Sequence, residues 1–172
     1  GDIVIPVINS ISPKFDLVIA TQDWHPENHS SFASNNTGAK PFETIELNGM
    51  EQIMWPDHCV QGTEGAELST ELDPKPLEAI FRKGMDPEID SYSGFYDNHH
   101  KKDTGLAGFL RARKVKKLFI AGLAADVCVF YTLRDAVDEG FETYLIDDGT
   151  RAIDDEKYIE QKKELVDKGV KI

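Results

Sequence analysis

The chain has 172 residues, 40% hydrophobic and 29% charged, which suits one folded domain with a sizeable core and excludes a disordered chain. Its formal net charge of -12 excludes the basic surface that non-specific nucleic-acid binding needs. No apolar run reaches the length of a membrane span and nothing at the N-terminus reads as a signal peptide. The two cysteines, Cys59 and Cys128, make no disulfide framework, so a reducing cytoplasm is the expected compartment.

Taken in order, residues 1–11 predict a short amphipathic helix, with Pro6 in its first turn and Val4, Val7, Ile8 and Ile11 on one face. Residues 15–21 are apolar and β-branched and predict a buried strand. Residues 26–52 are rich in Asn, Gly, Ser and Pro and predict a long loop or lid, followed by a second loop over 53–63. Residues 77–83 predict a strand ending at Lys83-Gly84, 91–97 an aromatic loop, and 104–113 a helix carrying Leu106, Phe109 and Leu110. A strand over 115–121 leads into a turn and a helix that ends near Gly140. Residues 141–148 predict a strand, 154–167 a helix capped by Asp154 or Asp155, and 169–172 the start of a last strand. Strands alternating with helices predict an α/β fold, a three-layer open and mostly parallel sheet with helices on both faces, in a single domain over 1–172.

Cys128 lies where a strand gives way to a helix, the place where open α/β sheets put ligands. The helix start there is expected to stabilise a thiolate and lower its pKa, and Lys83, if it faces the sulfur, to add to that effect. Buried free cysteines are also commonly inert, and Asp126 nearby reads equally well as a helix cap. Asp23 and His25, two apart at a strand end, point the same way and can hold a divalent metal with His58 as a third donor. Such a nitrogen and oxygen set suits Zn²⁺, Fe²⁺ or Mn²⁺, although an Asp-x-His at a strand end also serves as an ordinary loop hydrogen-bonding pair. Trp55, Tyr92, Phe95 and Tyr96 offer walls for a flat ring, or a small core under a lid. His29, His99 and His100 read as surface residues, with His29 kept open as a neighbour of the metal site.

Five motifs occur together and in order: Asp23-Trp24-His25-Pro26-x-x-His29-x-Ser31-Phe32, Trp55-Pro56-x-His58-Cys59-Val60-x-Gly62-Thr63, Lys83-Gly84, Tyr92-Ser93-Gly94-Phe95 and Gly122-Leu123-Ala124-x-Asp126-x-Cys128-Val129. Together they resemble the nicotinamidases of the isochorismatase-like cysteine hydrolases, whose fold is Rossmann-like. The resemblance implies a cytoplasmic amidase acting on nicotinamide in NAD salvage. Cys128 would be the nucleophile and Lys83 its lysine partner. Asp23, His25 and His58 would ligate one divalent metal, zinc first, and Trp55 and Tyr92 would hold the ring. Leu123-Ala124 matches a cis peptide whose geometry would aim the N–H groups of Ala124 and Cys128 at an oxyanion. A small-molecule substrate is implied as the partner, with neither nucleic acid nor membrane, and a homo-oligomer is left open.

The family's catalytic aspartate lies in an Asp-x-Gln-Asn-Asp-Phe-like segment that also carries a substrate-contacting phenylalanine, and no such segment precedes Gly1. The expectation is that a first strand and a C-terminal end lie outside these residues, with a lid and metal loop over 22–63. Two readings compete: a carbamoyl or ureido amidase of the same superfamily, which generally lacks the Asp-x-His pair, and a non-catalytic metal or ligand-binding domain. Isochorismatases themselves lack the cysteine.

Overall fold

The computed structural model describes residues 1–47 and 49–172. Helix α1 (Ile5–Ile11) comes first, with a proline in its first turn. Strands β1 (Val18–Asp23) and β4 (Leu77–Lys83) pair in parallel. So do β5 (Lys117–Leu123) and β6 (Glu142–Arg151). Between β1 and β4 lies an antiparallel hairpin of β2 (Thr44–Leu47) and β3 (Met50–Ile53). Helices α2 (Leu106–Ala112), α3 (Phe130–Asp138) and α4 (Asp155–Lys168) complete the chain. Among the described residues no helix is long and apolar enough to cross a membrane.

Parallel strand pairs with helices packed against them give an open α/β architecture, as the alternating pattern predicts. Two apolar clusters hold it together. Ala125, Val129, Phe130, Leu133, Leu145, Tyr158, Leu165 and Val170 join α3 and α4 to β6. Phe95, Leu106, Leu110, Ala136 and Phe141 form the second, against which Leu17, Ile19, Phe81, Leu118 and Ile120 pack. The second cluster spans both parallel pairs, although among the described residues the pairs exchange no ladder hydrogen bonds. Burial of these side chains supplies the main drive for joining the pairs.

Several boundaries differ from the sequence reading. The first strand starts and ends later, at Val18–Asp23, so Asp23 belongs to it. The hairpin was expected to be loop; residue 48 of that expected loop lies outside the described residues. Its strands have four residues each, and among those eight Gln52 alone is buried, so no strongly apolar face marks the hairpin in the sequence. The expected last strand is a single bridge between Lys171 and Tyr144. Helix α4 starts as expected, with Asp154 accepting a hydrogen bond from the Lys157 N–H.

Candidate active site

The parallel register places Asp23 opposite Lys83 at the C-terminal ends of β1 and β4. Lys83 is 5% exposed, and its Nζ lies 2.5 Å from Asp23 Oδ1. The same ammonium donates to the Ser91 carbonyl at 2.6 Å and to Cys128 Sγ at 3.4 Å. Burial works against both charges, but each outweighs it for the other. Asp23 is held below the usual carboxylate range by Lys83, and Lys83 is raised well above the usual lysine value by Asp23 and the Cys128 sulfur. Lys83 is therefore a fixed cation under the sulfur.

Cys128 does not sit at the start of an ordinary helix. Ala125–Val129 form a single π-helical turn that runs directly into α3. Within it the Val127 and Val129 N–H groups, on either side of Cys128, both donate to the Ala124 carbonyl, at 3.1 and 3.0 Å. The Leu123–Ala124 peptide before the turn is cis. The expected fall in the thiol pKa is not found. Cys128 keeps partial exposure, yet burial pushes its thiol up to about 11, with Lys83 opposing and Asp23 assisting the rise. Desolvation outweighs the lysine because much of the lysine's field is already spent on Asp23. Cys59 is also a free thiol.

Asp23, His25 and His58 offer three ligand atoms within 4.8 Å of one another. The His25 Nδ1 is 2.8 Å from the Gly84 carbonyl, and the His58 Nδ1 is 2.8 Å from the Pro56 carbonyl. A carbonyl can only accept, so both imidazoles donate from Nδ1 and keep the Nε2 lone pair free for a cation. This set fits a divalent ion. Gly84 is required there: its φ is +64°, and a Cβ would stand 2.3 Å from His25 Cε1. His29 is fully buried rather than on the surface, with its ring 4.6 Å from that of His25. The Ser31 N–H donates to its Nδ1, and burial pushes its pKa down to about 4. His25, His29 and Asp90 form a second buried group within the same 4.8 Å limit.

Trp55 and Tyr92 meet edge to face, with centroids 6.0 Å apart, and the indole N–H donates to the Tyr92 hydroxyl at 3.2 Å. Trp55 also stands 6.3 Å from His58, so the aromatic wall begins at the metal donors. Tyr131 extends it, 5.4 Å from Tyr92. Phe95 and Tyr96 do not belong to it. Phe95 is a core residue, and Tyr96 bonds Glu139 and stacks on His100. A cleft of about 490 Å³ runs between Phe42, Ile53 and Trp55 on one side and Asp126, Val127 and Ile153 on the other; Cys128 and Lys83 lie outside its lining. Leu123, before the turn, is 46% exposed.

Three contributors escaped the sequence reading. Tyr131 lies three residues after Cys128 on one helical face, a spacing that could have revealed it. Thr132 accepts the Gly94 N–H at 2.9 Å and donates to the Cys128 carbonyl at 2.6 Å, tying Cys128 to the aromatic loop. Gln52 donates to the Tyr92 hydroxyl at 3.1 Å, from the hairpin taken for a loop.

Residues 17–172 match the isochorismatase domain family. The chain is 47% identical to the nicotinamidase of Acinetobacter baylyi, over 90% of this chain and 72% of that protein. It is 43% identical to the nicotinamidase of Escherichia coli, over 89% and 73%. Among solved structures, an Acinetobacter baumanii nicotinamidase pyrazinamidase superposes with a TM-score of 0.95 at 42% identity, covering 99% of this chain and 84% of that one. The PnC1 protein of L. infantum in complex with nicotinate gives 0.87 at 39%, covering 99% and 79%. The pyrazinamidase of Pyrococcus horikoshii in complex with zinc gives 0.81 at 37%, covering 100% and 85%. With this fold and this order of motifs, the chain belongs to the isochorismatase family and, within it, to the nicotinamidases.

Proposed function

We propose that the protein hydrolyses nicotinamide to nicotinate and ammonia through a thioester on Cys128, a step of NAD salvage in the cytoplasm. The observation that carries the reading is one continuous contact chain. Cys128 Sγ touches Lys83 Nζ, and Lys83 touches Asp23 of the three-donor cluster. Nucleophile, fixed cation and metal donors thus share one corner of the fold, beside the Trp55–Tyr92 wall. The relatives named for nicotinamidase activity and the nicotinate complex support the choice of ring.

The Cys128 thiolate attacks the carboxamide carbon and the carbonyl electrons move to oxygen. The N–H groups of Ala124 and Cys128 donate to that oxyanion, while Lys83 offsets the charge on the departing sulfur proton's site. Collapse expels ammonia, whose nitrogen takes up the proton that Cys128 gave to its base; water, deprotonated by the same base, then cleaves the thioester to nicotinate, and that proton returns to the sulfur to regenerate the thiol. Among the described residues the side-chain partner of Sγ is an ammonium, which donates rather than accepts. The proton of Cys128 therefore goes to a base outside these contacts, a role that the family resemblance gives to the aspartate of an Asp-x-Gln-Asn-Asp-Phe-like segment. Asp23, His25 and His58 would hold one divalent ion, zinc by analogy with the Pyrococcus horikoshii complex, and the bound ion would supply an electron-pair acceptor for the ring nitrogen. Trp55 and Tyr92 orient the ring and exclude water from its faces.

The test is ammonia release from nicotinamide by the full-length protein and its Cys128→Ala variant. Loss of turnover with retained nicotinate binding is expected. Undiminished ammonia release by the variant would sink the proposal. A ureido or carbamoyl substrate turned over in place of nicotinamide would move the chain to the neighbouring amidases.

A further inference from the structure

We propose that Asp126 is a positioning residue for the nucleophile turn, through which helix α4 holds Cys128 and the backbone N–H donors in register with the substrate. This rests on the nicotinamidase reading. Asp126 is 2% exposed and lies two residues before Cys128. It does not cap its own helix. Its Oδ1 accepts the Ile153 N–H at 2.8 Å and its Oδ2 the Asp154 N–H at 3.3 Å. Both donors belong to the segment that enters α4. The main chain of the same residue is held from the same helix, because Gln161 Nε2 donates to the Asp126 carbonyl at 3.1 Å. Gln161 is itself buried, at 8% exposed.

Three bonds, two from the segment that enters α4 and one from α4 itself, thus converge on a single residue of a five-residue turn. The need for them follows from the turn's own hydrogen bonding. Ala124 offers one carbonyl to two N–H groups, which leaves the turn wider than an α-helix and short of internal restraint. Oxyanion stabilisation depends on donors that need no reorganisation when charge develops, so the restraint must come from outside the turn. On the other flank Thr132 bonds the Cys128 carbonyl. Asp126 supplies the upstream clamp and Thr132 the downstream one. A buried carboxylate also suits the site electrostatically, since it lies at the N-terminal end of a 14-residue helix.

The experiment compares Asp126→Ala, Asp126→Asn and Gln161→Met in the full-length protein. It reads kcat and KM for ammonia release, binding of nicotinate, binding of pyridine-3-carbaldehyde and the fraction folded. The aldehyde reports the tetrahedral adduct with the thiol, and nicotinate reports the ring site. For Asp126→Ala, kcat per folded molecule should fall about 100-fold, the scale of a lost oxyanion donor, with KM within about 3-fold. Aldehyde binding should weaken in parallel and nicotinate binding should hold. Asp126→Asn keeps one acceptor and should recover about a tenth of the wild-type rate, and Gln161→Met should lose several-fold while keeping the side-chain volume. If Asp126→Ala does not fold, the Asn and Met variants carry the same comparison. Turnover per folded molecule within about 2-fold of wild type, or equal losses of aldehyde and nicotinate affinity, overturns the inference and leaves the nicotinamidase reading standing. A wild-type protein that neither releases ammonia nor binds nicotinate overturns both.

Discussion

The corner that carries Cys128 and the corner that carries Asp23, His25 and His58, proposed as nucleophile and metal donors, are built on different physical terms. The turn that carries Cys128 is anchored by apolar packing, with the hydrogen bonds of Asp126 and Thr132 setting its register. Ala125, Val129, Phe130 and Leu133 are all buried in one cluster, and the sulfur is placed by the helix they anchor. The donors of the metal cluster rest on polar contacts. His25 and His58 are held by the carbonyls of Gly84 and Pro56, one at a strand end and the other in a loop. Packing fixes a position broadly and tolerates small changes at its margin. A carbonyl aimed at a ring nitrogen fixes orientation and fails when its backbone moves. The metal corner should therefore be more sensitive to a single backbone substitution, and the nucleophile corner more sensitive to loss of its clamps.

Outside the reacting sulfur and the Asp126 clamp, the largest expected effect is at Gly84. Alanine there needs a positive φ and puts a methyl into the His25 ring. Metal affinity should fall by about 10- to 100-fold, the scale of a lost second-layer contact, measured by competition with a chromophoric chelator. Unchanged affinity would contradict the close approach of the Gly84 backbone to the His25 ring. A smaller effect is expected for Thr132→Val. It deletes the bond to the Cys128 carbonyl and leaves the Gly94 N–H without its partner, costing about 1–2 kcal/mol. For a chain of this size that lowers Tm by about 3–6 °C, readable by calorimetry, while metal affinity should not move.

How far this division could be read in advance differs between the corners. The grouping of Asp23, His25 and His58 was legible because Asp23-x-His25 is a local spacing and His58 sits in a motif of its own. The strand at Leu77–Lys83 was legible to the residue, since its apolar alternation stops at a glycine. What was not legible depends on contacts between distant residues. The burial of His29 comes from packing against His25 and Phe32 beneath the loop. The role of Asp126 depends on residues 27 and 28 positions further on, so local spacing offered only a helix cap. The thiol pKa was expected to fall because the sequence shows the helix start and the lysine. It does not show that Lys83 is paired with Asp23 or that the sulfur is desolvated.

That last point gives a further predicted effect and its sign. In the folded chain the thiol keeps its proton to about pH 11, above its usual value, because burial disfavours the thiolate. Alkylation of Cys128 by iodoacetamide should therefore rise through a midpoint near pH 11 rather than near 9, and denaturation should bring the midpoint back toward 9. A folded-state midpoint below 9 would show that Lys83 outweighs burial. The stability contribution has a matching sign: the unfolded thiol ionises first, so raising the pH through its value favours unfolding.

The central claim is that Cys128 carries the acyl group during turnover, and peptide mass spectrometry of acid-quenched full-length protein tests it most directly. During steady-state hydrolysis of nicotinamide, the account predicts one nicotinoyl group on the peptide containing Cys128, discharged by brief exposure to hydroxylamine. Rapid turnover with no acyl group trapped on Cys128 at any quench time, or with the acyl group on Cys59, would contradict it.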